Sequence, residues 1–329
     1  MKMCGRACCS LDPDTLCYAC EYKDANGKPR KLTWAKSELE YIPSCNMGPQ
    51  DILPCMASGS HFEEEEERVL CPMIWGMIPP WHQGNYKKRT DKLSTHNGRL
   101  ENIQASKLYS PSLKNRQRCV VVLDGFYEWK ANANKSQKQP YYIYATQDKD
   151  VKADDPTTWR NKFSEEEGWK GFKVLKLAGI FAAFKTEEGK TIHSCTIITR
   201  ESNQVLSWLH HRMPVCLSND MECQTWLNKD LHTDTVIKIL NNIILQEGTL
   251  HWHPVSTSVN NVMYKSTDCR KEIKPKQEKK NSQTSFMASW LQKGSVASTK
   301  RKIADNKDED ISNKDAEDEK KFSKLRKEN

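Results

Sequence analysis

Cys119-Val120-Val121-Val122-Leu123-Asp124-Gly125-Phe126-Tyr127-Glu128-Trp129 joins a β-branched apolar run to an Asp-Gly turn signal and a second run in which aromatics flank a carboxylate. Five apolar residues bounded by Asp-Gly are too short for a core helix and fit a buried strand that runs into a turn. Comparable runs recur at Pro140–Tyr144, Leu177–Phe181 and Ser194–Thr199, with a weaker one at His253–Ser256. Helical readings are fewer: Thr225–Leu227, Asp234–Leu240 capped by Thr233 or Asp234, and Ile103–Tyr109. Strands therefore outnumber helices. The expected fold class is α+β, a single domain around a curved, mostly antiparallel sheet with peripheral helices.

Outside these runs the composition sets limits. A chain of 329 residues that is 37% hydrophobic suits one sizeable domain and a polar tail better than two full domains. From about Lys271 onward Lys, Glu, Asp, Ser and Asn dominate, so we expect a globular part over 3–270 and a disordered charged tail over 271–329. There is no run of eighteen apolar residues and no signal-peptide h-region, so the expectation is a soluble, intracellular protein without membrane contact. The net charge of +8 is compatible with phosphate contacts but does not by itself argue for nucleic acid. Thirteen cysteines, an odd number, argue against a disulfide framework. Residues 61–67, with five consecutive Glu, read as a solvated loop, and residues 145–170 as a polar insertion between strands.

Cys4, in Met3-Cys4-Gly5-Arg6, has distinctive chemistry if its α-amine is free. An amine and a thiol on one residue condense with an aldehyde, the amine giving an imine and the thiol closing a five-membered thiazolidine. The amine titrates near pH ~8 and the thiol near ~8.5, so both are partly reactive near neutrality. Met1-Lys2-Met3 precedes Cys4, so a start at Met3 or trimming is required. Cys17-x-x-Cys20 has metal-ligand spacing that Cys4 or Cys8 would complete, but without a second spaced pair the signal is weak and the thiols read first as incidental. Glu128 reads either as a surface carboxylate between core aromatics or as a proton-transfer group in a partly apolar pocket. In His210-His211-Arg212-Met213-Pro214 the His is a structural residue or an acid–base, with Arg212 able to hold a phosphate. Asn97-Gly98-Arg99 is a surface turn, or else a clamp (Asn97) beside a phosphate ligand (Arg99). Trp75 and Trp81 flank a Gly-Pro loop; the first reads as core, and an exposed Trp here suits base stacking.

Taken in order, Met3-Cys4-Gly5-Arg6, Asn46 with Pro49, Trp75-Gly76 with Pro79 and Trp81, Asn97 with Arg99, Asp124–Trp129, Ala178-Gly179-Ile180, Thr196–Thr199, His210–Pro214, Val255-Ser256 and Val259-Asn260-Asn261 resemble the SOS-response-associated peptidase (SRAP) family over about residues 3–265. The resemblance implies a barrel-like sheet and covalent capture of abasic sites in single-stranded DNA. It implies Cys4 as nucleophile, Asn97 orienting it, Glu128 shuttling protons and His210 assisting at the sugar. It also implies Arg99 and Arg212 on flanking phosphates, Trp81 and Asn46 along the strand path, and autocatalytic removal of residues before the Cys. No metal or cofactor is implied, and nothing demands more than a monomer. Cys45 stands where the family usually has an aromatic. In the tail, Gln283–Leu291 resembles a degenerate sliding-clamp peptide, and Lys300-Arg301-Lys302 fits a nuclear signal, so the expected location is the nucleus. Three alternatives stay open: a non-covalent reader of modified bases, a peptidase acting on other proteins, and a zinc or redox module at the front cysteines.

Overall fold

The computed structural model describes residues 5–24, 26–86, 94–131 and 138–274. In chain order its strands are β1 (Ala7–Cys9), β2 (Tyr22–Lys23), β3 (Pro29–Arg30), β4 (Ser44–Met47), β5 (Ile52–Ser58), β6 (Arg68–Trp75), β7 (Asn97–Arg99) and β8 (Arg118–Leu123). They continue with β9 (Gly125–Ala131), β10 (Lys138–Ala145), β11 (Lys162–Ser164), β12 (Gly168–Lys170), β13 (Leu175–Lys185), β14 (Thr191–Glu201), β15 (Arg212–Pro214) and β16 (Leu250–Pro254). Helices α1 (Pro13–Ala19), α2 (Ser110–Lys114), α3 (Asp220–Leu227) and α4 (Thr233–Asn242) lie between them.

Two sheets carry the fold. The first closes on itself: β13, β8, β5, β6 and β14 pair in that order, and β14 pairs back onto β13. Only its β6–β14 contact is parallel, and β7 adds a second parallel contact to β14 from outside the ring. Every residue of β6 and β8 is buried, which explains their nearly unbroken apolar runs. Cys55 on β5 and Cys195 on β14 are not on neighbouring strands, yet their sulfurs lie 3.7 Å apart, so both fill the barrel interior. The second sheet is five-stranded and antiparallel, in the order β16-β10-β9-β1-β4.

The Asp124-Gly125 signal is where the chain passes from one sheet to the other. β8 pairs with β5 and β13, whereas β9 pairs with β1 and β10, so this is a crossover and not a hairpin. A Cβ on Gly125 would stand 2.5 Å from the Ile143 carbonyl oxygen and 2.5 Å from the Tyr142 ring, and so only glycine fits. Asp124 is fully buried, and its Oδ2 accepts from the Ser10 amide at 2.8 Å and the Ser10 hydroxyl at 2.6 Å. Arg270, 1% exposed, stands 3.5 Å from the same oxygen. The last described turn of the domain is thereby tied to the junction between the sheets.

The strand readings at 119–123, 140–144, 177–181 and 194–199 all fall inside observed strands, and the α+β class with a barrel-like, mostly antiparallel sheet is what forms. Ile103–Tyr109 is not a helix. A 3-10 turn covers Leu100–Asn102, and α2 starts only at Ser110, with Pro111 in its first turn. The cap of α4 is His232, which makes no side-chain cap bond. The Thr233 hydroxyl instead donates to Leu113 O at 2.9 Å, and Asp234 Oδ1 accepts from Gln104 Nε2 at 2.7 Å. Both proposed caps serve tertiary contacts. Within 145–170 lies the β11–β12 hairpin, beside which Trp159 and Phe172 stack at 4.1 Å. No helix among the described residues is long and apolar enough to cross a membrane. The proposed tail lies outside the described residues from 275 onward.

Candidate active site

β1 runs against β9 with Ala7 opposite Phe126 and Cys8 opposite Gly125. The Tyr127 amide donates to Arg6 O at 3.0 Å, so the same register carries Gly5 alongside Glu128. Cys4, the next residue, lies outside the described residues. Alternation along β9 sends Tyr127 and Glu128 to opposite faces. The Tyr127 hydroxyl reaches inward to Cys45 O at 2.7 Å. Glu128 is 5% exposed, and its Oε1 accepts from the Trp129 amide at 3.1 Å. Of the two readings of Glu128, the structure gives the buried one.

Gly5 also meets a second element. A Cβ placed on it would be 3.9 Å from His96 Nε2 and from the Pro49 ring. His96 shares a hydrogen bond with Ser94 Oγ at 3.1 Å, and its carbonyl accepts from Trp75 Nε1 at 3.0 Å. Asn97, the following residue, opens β7; it is half-buried, and its carbonyl accepts from the Tyr109 hydroxyl at 3.3 Å. The backbone that leads away from Cys4 therefore runs between the β9 carboxylate and the start of β7.

His210 is 4% exposed while His211 beside it is exposed, the two rings stacking at 4.4 Å. His210 Nδ1 accepts from the Arg212 amide at 3.0 Å. Its Nε2 is buried with no hydrogen-bond partner among the described residues. Burial holds this imidazole below its ordinary value, which favours the neutral ring at pH 7, and Nδ1 also stands 3.3 Å from Arg212 O.

The remaining candidates divide. Trp81 is 55% exposed on the loop after β6, and Arg99 is exposed at the end of β7 with no ion-pair partner among the described residues. Arg212 grips Glu101 with both terminal nitrogens, at 2.7 and 2.9 Å, and also donates to Thr199 O at 2.7 Å. Its guanidinium fork already holds a carboxylate, so a phosphate would have to share it. Asn46 corrects the expectation of a strand-lining residue. It is fully buried, and its Nδ2 donates to the carbonyls of Val259, Asn261 and Tyr264 at 3.2, 2.9 and 2.9 Å. It fastens the C-terminal loop to β4 and presents nothing to a ligand. Cys17 and Cys20 are buried thiols in α1 and at its C-cap, pushed up by burial to about 11 and about 12. No group of three ligands suited to a metal occurs among the described residues.

Two contributors were not singled out in the sequence. His96 packs over Gly5, and its only signal was adjacency to Asn97. Asn260 links both sides of the site: its carbonyl accepts from Arg6 at 3.0 Å and its Oδ1 from Trp129 Nε1 at 2.7 Å. The segment Val259-Asn260-Asn261 was visible as a motif, but not what it ties together.

The family model described as SOS response associated peptidase (SRAP) matches residues 3–262. The abasic site processing protein HMCES of Rattus norvegicus is 32% identical over 317 residues, covering 94% of this chain and 87% of its own. Its counterpart from Xenopus tropicalis is 34% identical over 299 residues, covering 88% and 85%. A solved structure of a protein from Bordetella bronchiseptica shares the fold, with a TM-score of 0.55, 17% identity, and coverage of 77% of this chain and 100% of its own. The chain belongs to the SRAP family.

Proposed function

We propose that this protein processes abasic sites in single-stranded DNA by linking itself covalently to the lesion through Cys4. The observation that carries the proposal is the convergence of the backbone beyond Cys4 on a nearly buried carboxylate, Glu128, within a chain whose relatives are named abasic site processing proteins. A ring-opened abasic sugar presents an aldehyde. The free α-amine of Cys4 adds to it and water leaves, giving an imine. The thiol sulfur then bonds to the imine carbon and the nitrogen takes up a proton, closing a thiazolidine. Glu128 is the group that moves protons at the amine and the departing hydroxyl. Asn97 orients Cys4, and His210 acts at the sugar oxygen. Arg99 and Trp81 are exposed and suited to the flanking strand, Arg99 to phosphate and Trp81 to a base.

The chemistry needs a free Cys4 amine, so removal of Met1–Met3 belongs to the proposal. So do work in the nucleus and clamp contact through Gln283–Leu291, both of which rest on segments outside the described residues. The test is a denaturing gel of the Met3-start protein with an oligonucleotide bearing one abasic site, beside Cys4→Ala and the full Met1 form. A heat-stable shifted band that Cys4→Ala abolishes is expected. No band from a protein whose terminus at Cys4 is verified by mass would overturn the covalent reading in favour of a non-covalent binder.

A further inference from the structure

The face of the five-stranded sheet that carries Glu128 continues outward as a row of aromatics. Lys130 is two residues beyond Glu128 on β9 and shares its face. The β9–β10 register sets Tyr141 opposite Glu128, and the β10–β16 register sets Pro254 opposite Tyr141, so Trp252, two residues from Pro254, lies on this face as well. Trp208 reaches the same face from the loop that ends at His210. Its ring lies edge-on to Tyr141 at 5.1 Å and 5.1 Å from Trp252, and Lys130 Nζ stands 5.0 Å from its centroid. The Trp208 indole N–H is held by Val205 O at 3.0 Å, which fixes the ring in place. Trp252, on the edge strand β16, is 38% exposed.

A plain structural role would be to pin an edge strand and a loop together. That role accounts for Trp208 and Tyr141, which are half-buried, but leaves two features over. The outermost ring, Trp252, remains in solvent, and an exposed ammonium covers its neighbour in place of an apolar side chain. Exposed aromatic faces with adjoining cations are what unpaired bases stack on, because every base has a π-face and every linkage a phosphate. The row is also continuous with the candidate site at both of its parts: it begins opposite Glu128 and hangs from the loop that delivers His210.

We propose that Trp252 and Trp208, with Lys130, form a stacking platform for an unpaired base of the DNA strand flanking the lesion. This rests on the abasic-DNA reading for its occupant. The base stacks on Trp252, Trp208 backs it, and Lys130 neutralises the adjoining phosphate. Trp81 then serves a different part of the strand, since it lies on the loop after β6 and not on this sheet.

The test uses an unmodified single-stranded oligonucleotide, so that affinity is read without any covalent step. Fluorescence anisotropy is followed over a salt series for the whole protein and for Trp252→Ala, Trp252→Phe and Lys130→Ala. Trp252→Ala is expected to weaken binding roughly 5- to 100-fold, with Trp252→Phe recovering most of it. Lys130→Ala is expected to reduce the salt slope by about 0.7. Lys130 is exposed, so this arm remains informative if loss of Trp252 loosens the edge strand. Equal affinity for Trp252→Ala, or an unchanged salt slope for Lys130→Ala, overturns the platform. Adduct formation on the abasic oligonucleotide is scored separately with the unsubstituted protein. Its failure would sink the covalent reading while leaving the platform standing, and the reverse result would do the opposite.

Discussion

The barrel and the five-stranded sheet are built from one uninterrupted stretch of chain, and they treat polar groups in opposite ways. In the barrel, strands close on themselves and neutral thiols meet inside. Cys55 and Cys195 meet sulfur to sulfur, and burial pushes the Cys55 thiol well above its ordinary range, which keeps it protonated and inert. In the sheet, a carboxylate and a lysine stand two residues apart on one face, beside aromatics that reach solvent. Asp124 and Glu128 condense the contrast into five residues. Asp124 is locked at the junction by Ser10 and Arg270. Glu128 lies on the strand beyond, next to the backbone that leads from Cys4. The ring contributes to the site only through strands added to its outside, β7 with Asn97 and Arg99, whereas the open sheet presents Glu128 and Lys130 from one of its own faces.

That contrast breaks if the two carboxylates prove interchangeable. Glu128→Gln is expected to slow adduct formation by roughly 10²- to 10⁴-fold, the usual worth of a positioned proton-transfer group, with little change in the denaturation midpoint. A time course on denaturing gels beside a urea melt reads both quantities. The junction should behave the other way. Arg270→Met leaves the Asp124 carboxylate buried without its cation, and we expect a loss of about 3–5 kcal/mol in urea unfolding. Burial already pushes the Asp124 carboxyl up against the hydrogen bonds that hold its charged form, so little reserve exists there. A loss below about 1 kcal/mol would show that the junction is held without the Arg270 ion pair.

The smallest effect sharpens the comparison through pH. His61 and His193 pack around Phe181 of β13, His210 lies at the candidate site, and burial holds all three below their ordinary value. The unfolded chain then binds more protons than the folded one, so stability rises with pH. It should be fully present above about pH 6.5 and lost gradually as the pH falls below it. Acid titration of His61→Gln and His210→Gln by circular dichroism separates the regions. If removal of His210 alone flattens the acid limb, the site and not the barrel sets acid tolerance.

Much of this was legible because it is local. The β-branched run 119–123 and the Asp-Gly break are properties of neighbouring residues, and they located β8 and its end; β9 and the crossover into the second sheet came only from the structure. The exposure of Trp81 and the burial of Trp75 were likewise anticipated. What failed were the places where a side chain had two suitors. Thr233 and Asp234 look like caps until Leu113 and Gln104 arrive. Asn46 looks like a ligand contact until three carbonyls, all more than two hundred residues away in sequence, converge on its amide. Arg212 gave no sign in the sequence that its fork also holds Glu101.

By itself the sequence determined the class of fold, the strands at 119–123, 140–144, 177–181 and 194–199, the family, and which residue types have chemistry to offer. Period, turn residues and reactive groups are written in adjacent positions and survive without coordinates. The tertiary structure alone decided that the ring closes through β13 and β14, and that Gly5 passes between Glu128 and His96. It alone made Asn46 a fastener and Arg212 an ion-pair partner, and it alone drew Trp208 and Trp252 into a row leading from the carboxylate. Those outcomes depend on which distant group reaches a hydrogen-bonding side chain or an aromatic face first. Such competition is settled by the packing of the whole sheet, not by the residues on either side.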